Sequence, residues 1–252
     1  MLEVKSLSKS FGGIHAVQDI DFSVAKGSIV SLIGPNGAGK TTCFNLITGF
    51  YRPTRGQVLW DGVDVTATNP HSMAQLGVIR TFQKTNVLRN LTAFENVAHA
   101  QYLKGRTPLW RTFWPSSDTA VVKKEISESS FAILELMGLG KRLHVEAGAL
   151  SCGELRLLEV GVAIAAKPRL LMLDEPAAGL NTREAEGLAE LLSALPGKWV
   201  DSILLVEHNM NLIMKVSDNI VVMNFGKKLA TGTPAEIQHN EQVLEAYMGK
   251  AA

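Results

Sequence analysis

Cysteine is scarce in this chain. Only Cys43 and Cys152 occur, and neither has a second thiol close in sequence, which excludes a disulfide framework or a paired-thiolate metal site and suits a reducing compartment. An excess of either charge is also lacking: 25 Lys and Arg stand against 24 Asp and Glu. The clustered positive charge on which nucleic-acid or anionic-membrane binding rests is therefore missing, and no nucleic-acid partner is expected. The opening residues Met1-Leu2-Glu3-Val4-Lys5 carry no basic flank leading into an apolar stretch. Every apolar run is interrupted before the about 20 residues a membrane span needs, so membrane association is expected only through a partner. Internal repeats, low-complexity tracts and long runs of like charge are absent too.

What is present is ordinary globular material, 252 residues of which 46% are apolar, enough for a single large domain. Four short apolar runs, Ser28 to Ile33, Leu170 to Leu173, Ile203 to Val206 and Ile220 to Met223, are continuous rather than alternating. That pattern predicts strands buried on both faces of a mostly parallel sheet, with helices between them: an α/β fold. The first 30 residues and the segment from Gly56 to Asp64 instead alternate polar and apolar residues around turn-prone Gly27 and Asp61-Gly62, predicting an antiparallel β edge layer. From Gln83 to Leu150 strand signals vanish and helical spacing takes over, as in Phe131, Leu134, Leu136 and Met137. We read an inserted helical subdomain over 84–155, set into a core made of 1–83 and 156–252. Within it, the segment from Pro108 to Pro115, with Trp110, Phe113 and Trp114, fits neither periodicity.

Directly after the first parallel strand comes Gly34-Pro35-Asn36-Gly37-Ala38-Gly39-Lys40-Thr41-Thr42, a full G-x-x-x-x-G-K-[ST] match followed by helix formers. Glycines let backbone N–H groups approach phosphates closely, Lys40 reaches the β and γ oxygens, and Thr41 offers a hydroxyl to Mg²⁺. Asp174-Glu175 ends another apolar strand and completes such a site. Asp174 is placed to hold the Mg²⁺ shell, and Glu175 to orient or deprotonate water. Alone, acids after an apolar run mark only a strand meeting solvent. A third element, Ser151-Cys152-Gly153-Glu154, opens a helix, and as S-x-x-E it also reads as a plain capping box.

The combination resembles the Leu-Ser-Gly-Gly-Gln signature of ABC ATPases, and Ser151 precedes Asp174 by the interval that one helix and one strand would fill. The resemblance implies a P-loop NTPase core of the ABC type and covers nearly the whole chain. It implies that Phe11 stacks on adenine. Gln83 resembles the loop glutamine that touches Mg²⁺ and the attacking water, and His208 the switch histidine at the γ-phosphate. Thr41, Gln83 and Asp174 would then hold the metal, in part through water. Ser151 and Gly153 would bind the nucleotide of a second ATPase subunit, identical or paralogous, in an ATP sandwich dimer. Three positions depart from the family pattern: Asn181 stands where most members carry aspartate, Cys152 for glycine and Glu154 for glutamine. Cys152 is tolerable if Ser151 and the Gly153 N–H hold the phosphate, and Glu154 can turn back onto the Ser151 N–H.

The phrases Asp174 to Asn181, Glu207-His208-Asn209-Met210 and Gly232-Thr233-Pro234 resemble the ATPases of bacterial branched-chain amino acid importers. That family implies ATP and Mg²⁺ as cofactors, two membrane permease subunits, a periplasmic substrate-binding protein acting indirectly, and a peripheral place on the cytoplasmic face of the inner membrane. The chain runs only briefly past its last helix-like segment, Glu241 to Met248, which argues against the added regulatory domain of sugar importers. A soluble ABC ATPase of DNA repair or translation would call for a coiled-coil insertion, duplicated cassettes or basic patches. A P-loop GTPase would need an Asn-Lys-x-Asp-type segment. None of these is in the sequence.

Overall fold

The computed structural model describes residues 1–81, 87–104 and 117–248. At the amino terminus the alternating segments pair antiparallel as β1 (Leu2–Phe11) and β2 (Ile14–Val24). The chain then enters the continuous apolar strand β3 (Ile29–Ile33), turns into α1 (Lys40–Ile47), and returns beside β1 as β4 (Arg55–Trp60) and β5 (Val63–Asp64). The predicted edge layer is thus a sheet of its own, ordered β2-β1-β4-β5. After α2 (Pro70–Gln75) and the short β6 (Val78–Arg80), the strand-free region folds as α3 (Ala93–Lys104) and α4 (Ser117–Leu136), with two single-turn 3₁₀ segments, Gly140–Arg142 and Ala147–Ala149. The helix α5 (Cys152–Ala165) then runs unbroken from the signature into the core. Strand β7 (Leu170–Asp174), α6 (Thr182–Ala194), β8 (Ser202–Val206), α7 (Met210–Val216), β9 (Asn219–Asn224), β10 (Lys227–Gly232), α8 (Pro234–Gln238) and α9 (Glu241–Met248) complete the described chain.

The larger sheet is ordered β10-β9-β3-β8-β7-β6 and is parallel except for its β9–β10 hairpin edge. Both faces of β3, β7 and β8 are covered, so these strands are buried throughout and mostly apolar. Val30, Leu32, Met172 and Leu204 pack with Phe44 of α1 and with the small sheet. On the other face, Ile29, Leu171, Leu173, Ile203 and Leu205 join Ile133, Leu134, Met137 and Leu158 of the helical region. Each such buried aliphatic side chain contributes roughly 1.5–3 kcal/mol. The consequence for function lies in the register. Leu32 pairs with Val206, and Val206 with Asp174, so β3, β7 and β8 end level and deliver three loops to one edge, the usual ligand edge of such sheets.

Candidate active site

The loop leaving β3 is shaped by glycines. Gly39 has φ +99°, and a Cβ there would stand 2.3 Å from the Ala16 carbonyl oxygen, so neither conformation nor space admits a side chain. The loop is also stitched from outside, because the Gly226 N–H donates to Ala38 C=O (3.1 Å) and the Gln18 N–H to Gly226 C=O (2.7 Å). Helix α1 starts at Lys40 with Gly39 as N-cap, no side-chain cap and no acid in its first turn. Its leading N–H groups and positive dipole end are left for an anion. Lys40 is buried, and its Nζ donates to the carbonyls of Gly34 (2.7 Å) and Pro35 (3.0 Å). Burial lowers its pKa, while the Glu175 and Asp174 carboxylates pull it back up.

Asp174, the last residue of β7, is buried. Its Oδ2 accepts from Arg80 (2.7 Å), whose other terminal nitrogen donates to Asn45 Oδ1 (2.5 Å). Asp174 Oδ1 is buried with no hydrogen-bond partner among the described residues. The next residue, Glu175, sits in left-handed backbone at φ +52°, an uncommon state for a residue with a side chain. Its N–H donates to Val206 C=O (2.8 Å). Its Oε1 meets His208 Nε2 at 2.9 Å. A cleft of about 730 Å³ opens here, lined by the loop from Asn36 to Thr42, by Glu175 and His208, and at its rim by Ile14, His15, Ala16, Gln18, Phe225 and Gly226.

The signature residues are not part of that cleft. Ser151 is the N-cap of α5: its Oγ accepts from the Glu154 N–H (3.2 Å), and Glu154 Oε2 accepts from the Ser151 N–H (2.9 Å). Glu154 thus folds back as the capping pattern predicts. Arg142 Nε donates to its other oxygen at 2.8 Å. The Ser151 N–H bond, with help from Arg142, holds the Glu154 carboxyl below its ordinary range against the opposing effect of desolvation, which is second in size to that bond. Asn181 caps α6 in the same reciprocal manner with Glu184, a role asparagine fills as well as aspartate.

Phe11 lies outside the cleft lining, with its ring edge-on to Tyr51 at 5.3 Å and Lys9 Nζ 5.0 Å from its centroid. The aromatic on the cleft rim is Phe225, which is 83% exposed. Gln83 and the Trp110 to Trp114 segment fall outside the described residues. Three residues in or around the site are given no role by the sequence reading: Arg80, Phe225 and Glu207, the last quoted only as part of the Glu207-His208-Asn209-Met210 phrase. Arg80 has one faint cue, a cation three residues from a candidate metal-loop glutamine.

This α/β core, with its glycine loop at the level edge of β3, β7 and β8, defines a nucleotide-binding cassette. The profile described as ABC transporter matches residues 17–178, and a second, described as branched-chain amino acid ATP-binding cassette transporter, matches 227–252. The chain belongs to the ABC transporter ATPases. It is 41% identical to the high-affinity branched-chain amino acid transport ATP-binding protein BraF of Pseudomonas aeruginosa, over all of this chain and 98% of that one. Identity to the LivG protein of Escherichia coli K12, of the same description, is 40% over the same shares. Among solved structures, the ADP conformation of MJ1267, an ATP-binding cassette of an ABC transporter, superposes with a TM-score of 0.85 at 31% identity, covering 99% of both chains.

Proposed function

We propose that this chain hydrolyses ATP to power import of branched-chain or related amino acids, from the cytoplasmic face of a membrane. In this reading it works with two permease subunits and, through them, a periplasmic binding protein. The cargo follows from the relatives' descriptions; among the described residues no helix is long and apolar enough to cross a membrane, so the translocation path belongs to partners. The observation that carries the hydrolytic reading is the Glu175–His208 contact of 2.9 Å beside the phosphate loop.

In this reading the loop N–H groups and Lys40 bind the phosphates of ATP. Glu175 takes the proton of the attacking water, and His208 holds that carboxylate in place while facing the γ-phosphate. Thr41 and Asp174 would hold Mg²⁺, with Gln83 as the family resemblance implies. The fit is chemical: Asp174 Oδ1 is a buried carboxylate oxygen without a hydrogen-bond partner among the described residues. Moreover, no group of three His, Cys, Asp or Glu side chains among the described residues could bind a metal alone, as suits an ion held by one carboxylate, a hydroxyl and phosphate oxygens. Mg²⁺, when bound, supplies charge neutralisation of those phosphates. Phe11 would stack on adenine, and Ser151 and Gly153 would meet the nucleotide of a second subunit.

Steady-state phosphate release and ATP binding, measured side by side on Glu175→Gln, test the hydrolytic assignment. Normal binding with lost turnover is the expected result; parental turnover would refute it. Uptake of labelled leucine by vesicles containing the chain and its permeases tests the cargo, with urea as the contrasting solute.

A further inference from the structure

Glu207, between β8 and His208, has no role in the reading above, yet with Asp174 it is one of two buried acidic residues among those described, at 3% exposure. Its carboxylate is held by backbone donors. Oε1 accepts from the Ala177 N–H at 2.6 Å; Oε2 accepts from the His208 N–H at 2.8 Å and the Asn209 N–H at 3.1 Å. A buried carboxylate is costly unless so satisfied. The donors come from two different loops: Ala177 follows Glu175 by two residues on the loop leaving β7, whereas His208 and Asn209 lie on the loop leaving β8. The backbone ladder between these strands closes with the Glu175 N–H on Val206 C=O. Beyond it, the described hydrogen bonds joining the two loops are those of Glu207 and the Glu175–His208 contact itself.

We propose that Glu207 is a positioning residue that clasps the loop of Glu175 to the loop of His208 and so fixes their 2.9 Å contact. This rests on the reading that Glu175 and His208 act in hydrolysis. The chemistry selects a carboxylate of this length, because both of its ends must accept. A glutamine turns its NH₂ toward N–H donors on one side or the other, releasing one loop. An aspartate keeps the charge but is one methylene short of spanning both.

The test uses the full chain with Glu207→Gln and Glu207→Asp, each alone and combined with His208→Ala. Glu207→Gln is expected to lower kcat about ten- to a hundred-fold through misplacement of the reacting groups, with KM for ATP within about threefold. Glu207→Asp is expected to fall between it and the parent. Because the clasp acts through His208, adding Glu207→Gln to His208→Ala is expected to cost under about threefold more. A merely structural Glu207 would give costs that multiply, and that result, or parental turnover by Glu207→Gln, overturns the clasp. If Glu207→Gln is not recovered folded, Glu207→Asp is judged by the same criteria. Slow hydrolysis by Glu175→Gln and His208→Ala beside parental Glu207→Gln removes the clasp alone. Parental hydrolysis by the first two removes their assignment and the clasp with it.

Discussion

The phosphate-loop region and the signature region are both glycine-bearing helix starts, and the structure treats them very differently. Around the loop from Gly34 to Thr42, the groups that shape the site are tied into the fold: Ala38 C=O by Gly226, Lys40 by two carbonyls, Asp174 Oδ2 by Arg80, and the Glu175 and His208 loops by Glu207. The signature is an exposed corner. Ser151 and Cys152 face solvent, and the helix is capped by its own Glu154. Gly153 alone there is buried; a Cβ on it would stand 2.6 Å from the Glu184 carboxylate. Half of the machinery is thus built in advance. The other half is an ordinary capped helix end, which in the proposed reading meets the nucleotide of a second subunit.

That contrast predicts the largest effects on the built half. Glu175→Gln is expected to lose on the order of 10²–10⁴ in turnover with ATP binding retained, the usual worth of a general base. Lys40→Ala is expected to weaken binding itself. Equal loss of binding in both variants would erase the distinction between holding the phosphates and attacking them. Arg80→Met should strand a buried carboxylate, since the pair is 8% and 0% exposed at its side chains. The expected cost is about 3–5 kcal/mol, or roughly 10 °C in thermal midpoint, with part regained on adding Mg²⁺. A midpoint within 1–2 °C of the parent, by calorimetry at roughly this precision, would mean the Arg80–Asp174 pair holds nothing together.

On the exposed half the effects are smaller and show as accessibility. Cys152 is solvent-exposed, whereas Cys43 is buried and its thiol is pushed up to about 12 by desolvation. Maleimide is expected to modify Cys152 alone in the native protein. Mg-ATP in the Glu175→Gln background is expected to protect it, and labelling that ATP leaves unchanged would detach Cys152 from the nucleotide. The smallest effect is on the cap. Glu154 lies below its ordinary 4.5 in the folded chain, so its contribution is complete above that value and is lost as pH falls through the lower folded one. Acid titration of thermal stability should therefore cost Glu154→Gln less than the parent; identical curves would place the acid sensitivity elsewhere.

The two regions also differ in how far residue order disclosed them. The loop from Gly34 to Thr42 was legible because backbone conformation at fixed spacing leaves a residue signature, and the strands β3, β7, β8 and β9 because burial on both faces forces unbroken apolar runs. The signature is legible by itself only as a capping box, and its distance from Asp174 adds the rest, because an exposed cap is written in the same residues whatever docks on it. The antiparallel segments were legible as strands, but not as a separate sheet, since partner choice across β1 and β4 depends on contacts more than 40 residues apart in sequence, such as Leu2 with Trp60. Arg80 and Glu207 were not legible as site residues. Each meets a partner distant in sequence that the fold brings near, Asp174 for Arg80 and Ala177 for Glu207, and no local pattern encodes such a meeting.

In the proposed reading, one chain carries two half-sites that serve different nucleotides. If so, ATP bridges two subunits, and slowing hydrolysis traps the bridge. The most direct measurement is size-exclusion light scattering of Glu175→Gln with ATP, with ADP, and with Gly153→Asp added. A shift from monomer to dimer is expected with ATP and not with ADP. Gly153→Asp, whose carboxylate would meet both the docking phosphate and Glu184, is expected to abolish that shift while ATP binding to the monomer is retained. A single variant that stays monomeric would point to a paralogous partner as the other half. A double variant that still dimerises with ATP would contradict the composite site.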